Sequence, residues 1–89
     1  MRRSILKPQF SRDVRRMKRR GKDLEKLIEV VRYLEQGSGI PTEFRPHKLH
    51  GEYKGCWECH IESDWVLIWI VFPGHIVLVR TGSHADLFE

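Results

Sequence analysis

The sequence lacks the features that would place the chain in a membrane or in an oxidising compartment. Its apolar run at 65–72 is far too short to cross a bilayer, and the first residues lead into no apolar signal segment. Only 2 cysteines occur in 89 residues, so no disulfide framework is expected. We therefore expect a cytoplasmic protein that makes no contact with a membrane and whose thiols are reduced.

Internal repeats, low-complexity tracts and linkers are also absent, so residues 1–89 are predicted to form a single domain. A hydrophobic content of 40% and a charged content of 31% are typical of a folded globular protein and exclude a disordered one. A chain of this length can bury one modest core and no more.

Positive charge is concentrated in the first half of the chain. Residues 1–48 contain 14 Lys and Arg against 6 Asp and Glu, whereas residues 49–89 contain 2 against 6. This asymmetry indicates a surface that meets phosphates or an acidic protein. A solvated basic helix face would explain the same pattern equally well.

Two helices are predicted in the basic half. The first runs from Pro8 to Arg20, and the second follows Asp23, a good N-cap, and ends at Gly37. Because both helices carry an apolar stripe, they are predicted to form a hairpin that packs on one sheet face. The stripes consist of Phe10, Val14 and Met17 in the first helix, and of Leu24, Leu27, Ile28, Val31 and Leu34 in the second.

The strands are predicted mainly in the second half. The run 65–72 has no charge and is rich in β-branched and aromatic residues, which is typical of a central strand covered on both faces. Two helices followed by an antiparallel meander predict an α+β fold, with an N-terminal helical hairpin on a small twisted antiparallel sheet. The other predicted strands or extended segments are Ser4–Leu6, His47–Tyr53, Cys56–Glu62 and His75–Thr81.

Titratable side chains lie around the ends of these strands. His60 and Asp64 directly precede the central strand, while Arg80 and His84 flank the end of the last one. In an extended chain Arg80 and His84 would project to the same side, so we expect them near His60. Together with His47, these groups could supply the base, acid and cation needed for attack of a ribose 2′-OH on a phosphate. Surface histidines with ordinary partners are the alternative interpretation.

The segment Cys56–His60 has the C-x-x-C-H spacing of a haem attachment site. On a strand, positions three apart point to opposite faces, which argues against haem, a redox pair and a Cys/Cys/His zinc site. Cys59 is predicted to face inward as a small core residue. We therefore expect no metal and no cofactor.

The ordered set of motifs closely resembles YafQ-type toxins, which belong to the RelE/ParE superfamily of bacterial type II toxin–antitoxin systems and have a RelE-like fold. The resemblance begins at Ser11–Val14 and covers nearly the whole chain, with Ser63 as a departure at a position that is often proline. The other matching segments are His47-x-Leu49-x-Gly51, Lys54-Gly55, His60-Ile61-Glu62-x-Asp64-Trp65-x-Leu67-Ile68 and Arg80-Thr81-Gly82-Ser83-His84-x-x-Leu87-Phe88.

This resemblance implies an mRNA interferase, a ribosome-dependent endoribonuclease that cleaves mRNA in the A site by metal-free acid/base chemistry. It implies as partners a cognate antitoxin and the ribosome with its 16S rRNA, and operator DNA only through the antitoxin. It places His47, His60, Asp64, Arg80 and His84 at the catalytic positions. His84 is then the general acid, Asp64 or His60 the base or orienting group, and Arg80 the contact to the scissile phosphate.

The basic first helix is expected to grip ribosomal RNA, and two aromatic residues are candidates for stacking on a base. The expected substrate-binding residues are therefore Phe88, Trp65, Arg15, Arg16, Arg19 and Arg20. A core role is the commoner one for Trp65. Two other functions are considered: a gyrase-poisoning toxin of ParE type, for which a His/Asp/Arg/His cluster is not expected, and an RNA-binding or antitoxin-binding module without turnover.

Overall fold

The computed structural model describes residues 1–89 and contains three helices and one five-stranded sheet. Short 3-10 turns at Thr42–Phe44 and Gly51–Tyr53 connect the helical half to the strands. No helix combines the length and the apolar character that crossing a bilayer requires. In chain order the elements are β1 (Arg3–Leu6), α1 (Pro8–Arg19), α2 (Leu24–Gln36), β2 (His47–Lys48), β3 (Trp57–Glu62), β4 (Trp65–Phe72), β5 (His75–Gly82) and α3 (His84–Phe88).

The strands are ordered β1-β5-β4-β3-β2, which places β4 in the middle as predicted. The pairs β2/β3, β3/β4 and β4/β5 are antiparallel, but β1 runs parallel to β5. The α+β class is confirmed, whereas the sheet is mixed and not purely antiparallel. Parallel pairing requires a connection that crosses from one end of the sheet to the other, and between β1 and β5 the chain supplies it with the helical hairpin and the intervening strands.

The helix boundaries follow from local sequence. Pro8 occupies the first turn of α1, where its missing N–H costs no hydrogen bond. The Asp23 side chain accepts a hydrogen bond from the Glu25 N–H and begins α2. Gly37 ends α2 with a φ of 71°, a left-handed conformation that glycine adopts without strain.

The helical hairpin covers one face of the sheet, as predicted. In α2, however, Val30 is buried and Ile28 is 39% exposed, so the buried stripe is rotated from the predicted one. The reason is that the buried positions 27, 30 and 34 already satisfy helical spacing, and Ile28 lies beside them on the outer side. The main members of this core are Phe10, Met17, Leu27, Val30, Leu34, Cys59, Trp65, Leu67, Trp69 and Leu78.

The opposite sheet face is covered by α3, a helix that was not predicted from the sequence. Leu87 packs there against Cys56, Val66 and Ile68. The helix begins with a capping box, in which the Ser83 side chain accepts from the Asp86 N–H and the Asp86 carboxylate accepts from the Ser83 N–H. The predicted extended geometry of 80–84 is therefore wrong. The predicted strand His47–Tyr53 is also reduced to two residues, since a 3-10 turn follows.

Two bulges decide which face the functional side chains occupy. In β5 the pairing shifts so that Arg80 lies opposite Ile68 and Leu78 lies opposite Trp69. Because of this extra residue, Arg80 and Leu78 lie on opposite faces of the sheet. Arg80 lies on the face covered by α3, and Leu78 lies on the face covered by the hairpin. A second bulge between His60 and Glu62 in β3 turns Glu62 away from His60, and its carboxylate binds Lys22 and Lys26 of the hairpin.

Asp13 is a charged residue at the centre of the fold. It is 0% exposed, and its carboxylate accepts hydrogen bonds from the side chains of Arg80 and Gln9 and from the Thr81 N–H. Because β1 ends opposite Leu78, Asp13 takes the place of a neighbouring strand at this stretch of the β5 edge. The sequence analysis did not identify this role.

We predict that Asp13→Ala lowers the free energy of unfolding by about 2–4 kcal/mol, because it leaves the Thr81 N–H and the Arg80 guanidinium without their acceptor. Urea unfolding monitored by circular dichroism measures this change. Arg12→Ala on the exposed side of α1 is the matched control and should change the value by less than about 0.5 kcal/mol. Equal effects of the two substitutions would show that the buried pair is not stabilising.

Candidate active site

Three imidazoles lie side by side at one end of the sheet. His47 comes from β2, His60 from β3 and His84 from the first turn of α3. The ring centroids of His47 and His60 are 6.3 Å apart, and those of His60 and His84 are 5.6 Å apart. Phe88 continues the row at 5.7 Å from His84. The structure thus brings together residues that are 37 positions apart in the chain (47 to 84).

Glu58 lies beneath two of these imidazoles and was missed by the sequence analysis. Its side chain is almost fully buried, with Oε1 at 3.2 Å from His47 Nε2 and 3.6 Å from His60 Nε2. The β2/β3 pairing places His47 directly opposite Glu58, and the alternation of β3 places His60 on the same face. That alternation was the available signal, since Glu58 and His60 are two residues apart on one strand.

Asp64 fixes the orientation of His84. Its Oδ1 accepts the backbone N–H of His84 and a hydrogen bond from the ring Nδ1, both at 3.0 Å. These two bonds hold the pKa of Asp64 below its ordinary value, so the carboxylate is charged and only accepts. The Nδ1 atom of His84 is therefore the protonated one, and Nε2 is left for a substrate.

Arg80 lies on the same sheet face as Glu58, because both pair with Ile68 of the central strand. Its Nε and Nη2 atoms donate to the Asp13 carboxylate at 2.7 and 3.2 Å. The hydrogen bond to Asp13 raises the pKa of Arg80 and keeps the guanidinium charged. Since a guanidinium has five N–H donors, three remain for an anion.

Of the predicted substrate-binding residues, some are exposed and unpaired, two lie against Asp86 and one is buried. Phe88 is 42% exposed beside His84, and the exposed side chains of Arg15 and Arg19 form no hydrogen bond or ion pair. Arg20 donates two hydrogen bonds to Asp86 of α3, and Arg16 lies 3.4 Å from the same carboxylate.

The prediction that Trp65 stacks on a base is wrong. Its side chain is 0% exposed in the core on the hairpin side, and its Nε1–H donates to the Thr81 hydroxyl. A buried ring with a satisfied donor presents no face to a nucleotide.

Cys59 in β3 and Cys56, which directly precedes this strand, face opposite sides of the sheet, as the predicted alternation required. Burial raises the pKa of the Cys59 thiol to about 12, so it is not a thiolate ligand at neutral pH. A different set of groups has the spacing of metal ligands. One donor atom each from Glu58, His60 and His84 lie within 4.8 Å of one another.

Several solved structures with this architecture are toxins. The crystal structure of the DinJ–YafQ complex of Escherichia coli superposes with a TM-score of 0.92 at 33% identity and covers 100% of both chains. A copper-bound mutant toxin from Helicobacter pylori has a TM-score of 0.92 at 34% identity, covering 99% of this chain and 100% of that one. By its fold this chain is thus similar to small bacterial toxins.

The family is equally well defined by sequence. Residues 2–89 match the model of the family described as bacterial toxin of type II toxin-antitoxin system, YafQ. The mRNA interferase toxin YafQ of E. coli K12 is 36% identical over 81 residues, which cover 90% of this chain and 88% of that protein. The chain belongs to the YafQ family of type II toxins.

We predict that acid weakens the anchoring of α3. Hydrogen bonds from Arg20 and from Ser83 lower the pKa of Asp86, so the unfolded chain takes up the proton first. The stabilisation is complete above the ordinary carboxyl pKa and is lost as the pH falls below about 4 towards the lowered value. Urea unfolding at a series of pH values should therefore show a shallower acid dependence in Asp86→Asn than in the wild type. Glu89→Gln is the control, and an unchanged slope in Asp86→Asn would contradict the assignment.

Proposed function

We propose that this toxin is a ribosome-dependent endoribonuclease that cleaves mRNA in the A site by metal-free acid/base chemistry. The observation that carries the proposal is the placement of His60 and His84, 5.6 Å apart between ring centroids, with the orienting carboxylate of Asp64 on one of them. Two imidazoles at this separation can act on the two oxygens that exchange at one phosphorus atom. The relatives named mRNA interferase support the same reaction.

His84 is the general acid in this proposal. Asp64 holds its Nδ1 proton and stabilises the imidazolium, so the Nε2 proton can be transferred to the leaving 5′ oxygen. Asp64 itself is a poor base, because its pKa is lowered and its Oδ1 already accepts two hydrogen bonds. The sequence left open whether Asp64 or His60 is the base or the orienting group, and we assign Asp64 as the orienting group.

His60 is the general base that takes the proton from the ribose 2′-OH. The buried carboxylate of Glu58 lies close to Nε2 of His60 and of His47 and stabilises positive charge as the proton arrives. The 2′ oxygen then forms a bond to phosphorus while the 5′ oxygen leaves, giving a 2′,3′-cyclic phosphate. The remaining N–H groups of Arg80 neutralise the charge on the phosphorane.

The surroundings of this site fit a nucleic acid. Phe88 offers an exposed ring beside His84 for stacking on a base, and the free guanidiniums of Arg15 and Arg19 contact 16S rRNA or mRNA phosphates. The toxin acts in the cytoplasm and is neutralised by a cognate antitoxin, through which alone it reaches operator DNA. The DinJ–YafQ complexes of E. coli are the precedent for such a partner.

A second candidate property of the same site is inhibition by a transition metal. One carboxylate and two imidazoles are suitable ligands for Cu²⁺ or Zn²⁺, and the H. pylori relative of known structure is copper-bound. Coordination would occupy the His60 and His84 lone pairs that acid/base catalysis requires. The ion would be an inhibitor, since the two imidazoles and Arg80 supply the base, the acid and the positive charge.

We predict that His84→Gln lowers the rate of mRNA cleavage on translating ribosomes by about 10²–10⁴-fold, because the general acid is lost. Mapping of transcript 5′ ends after induction measures cleavage inside translated codons. His75→Gln is the matched control, since this histidine lies at the other end of β5 against Phe72 and should leave cleavage unchanged.

Circular dichroism should show that both histidine variants are folded. Growth arrest with intact messages and damaged DNA would instead indicate a gyrase poison of ParE type. Arrest that persists in folded His84→Gln, with no new transcript ends in the wild type, would indicate a binding module without turnover.

We further predict that EDTA leaves cleavage by the purified toxin unchanged at Mg²⁺ concentrations that keep ribosomes intact, whereas micromolar Cu²⁺ suppresses it reversibly. Glu58→Gln should raise the Cu²⁺ concentration needed for half inhibition, because the amide is a weaker ligand than the carboxylate. Cleavage assays with and without chelator measure both effects. Loss of activity in chelator that Zn²⁺ or Cu²⁺ restores would overturn the metal-free mechanism.

A further inference from the structure

Helix α3 has only five residues, yet it carries His84 at its start and Phe88 at its end. An isolated helix of this length does not form in water, so its position depends on contacts with other elements. The capping box closes its first turn, and Leu87 inserts into the core of the α3 side. Tyr53 adds a hydrogen bond from its hydroxyl to the Leu87 carbonyl.

The strongest polar attachment of α3 is to the end of α1. The Arg20 Nη1 and Nη2 atoms donate to the two oxygens of Asp86 at 2.6 and 2.9 Å, which is a bidentate pairing. Arg16, one turn earlier, lies 3.4 Å from the same carboxylate. Asp86 is thus shared between the cap of α3 and the hairpin on the other side of the sheet.

The Asp86 side chain packs closely against the backbone of Gly82. A Cβ atom added to Gly82 would lie 2.8 Å from Asp86 Oδ2 and 3.1 Å from Asp86 Cβ. Because Asp86 forms the cap with Ser83, a displacement of Asp86 disturbs this cap and the adjoining residue His84, whose backbone N–H and ring are both bound to Asp64.

We propose that Arg20 is a positioning residue for the general acid: by holding Asp86 it sets the place of His84 and Phe88. The inference rests on the proposed nuclease function and reassigns Arg20 from RNA binding. Arg20 acts through Asp86 and α3 and does not contact the messenger. The hairpin therefore supports the site on the opposite sheet face as well as the core.

The test compares five chains on programmed ribosomes: wild type, Arg20→Ala, Arg20→Lys, Lys18→Ala and Arg19→Ala. Arg20→Ala should lower kcat by about 10-fold or more with little change in KM, because a misplaced acid slows the chemical step. Arg20→Lys keeps the charge but not the bidentate geometry, so its kcat should be intermediate. Lys18→Ala removes an exposed, unpaired charge from the same turn of α1 and should behave as the wild type.

A readout independent of activity is the NMR spectrum of the free toxin. In Arg20→Ala the backbone amide signals of 83–88 and the ring signals of His84 should shift, whereas in Lys18→Ala they should not. If the wild type does not cleave RNA, these shifts still test whether the Arg20–Asp86 pairing positions α3, and only the nuclease proposal fails.

Two results would overturn the proposal. Unchanged α3 signals together with a kcat equal to the wild-type value in Arg20→Ala would show that Asp86 does not need its partner. A raised KM that depends on salt, with kcat preserved, would show that Arg20 contacts RNA after all. Arg19→Ala, which removes a proposed RNA contact, provides the reference for that second pattern.

Discussion

The burial of β4 between two layers is the constraint on which the rest of the molecule depends. Its first five residues are buried, and the strand is hydrogen-bonded to β3 on one side and β5 on the other. Because the strand is covered by the hairpin on one face and by α3 on the other, neither neighbour can slip by one residue without exposing core side chains. The register brings the end of β3 and the end of β5 to the same place.

Three carboxylates then fix the parts of the structure that apolar packing does not fix by itself. Asp13 occupies the free edge of β5, Asp64 fixes an imidazole, and Asp86 connects a short helix to the hairpin. Each carboxylate accepts at least one backbone N–H as well as a side-chain donor. They fix local geometry because each backbone donor is directional, whereas apolar packing tolerates small rotations. The geometry at the end of the sheet that carries the three imidazoles is therefore determined more by polar contacts than by the apolar core.

The hairpin, the central strand and the residues around His60 could be predicted from sequence, because periodicity and caps act over a few residues. The roles of Asp13 and Glu58 could not, since both depend on partners that come from other elements. An aspartate beside an apolar helical stripe is usually a solvated residue, and only the free edge of β5 makes its burial favourable. The sheet face on which Arg80 lies could not be predicted, because a bulge leaves no clear mark on the pattern of apolar residues.

The helix α3 was overlooked although Ser83 and Asp86 have the spacing of a capping arrangement at N-cap and N3. Five residues are too few to show helical periodicity, so the alternation of the preceding strand was extended too far. The family resemblance selected the candidate site residues that the structure brings together, without needing the correct backbone. The resemblance identified more of the candidate site than the local patterns did, because motifs shared with a family reflect contacts between distant residues that local patterns do not show.

The first strand has a consequence for how the protein is made. β1 is synthesised early but pairs with His75–Leu78 of β5, and His84 follows β5, so the sheet edge and the row of three imidazoles both depend on residues near the end of the described chain. Contacts between distant parts of a chain form late. A nascent chain that has not yet reached residue 84 holds His47 and His60 without the third imidazole. The order of the elements therefore means that the three imidazoles can meet only after His84 at the start of α3 has been synthesised.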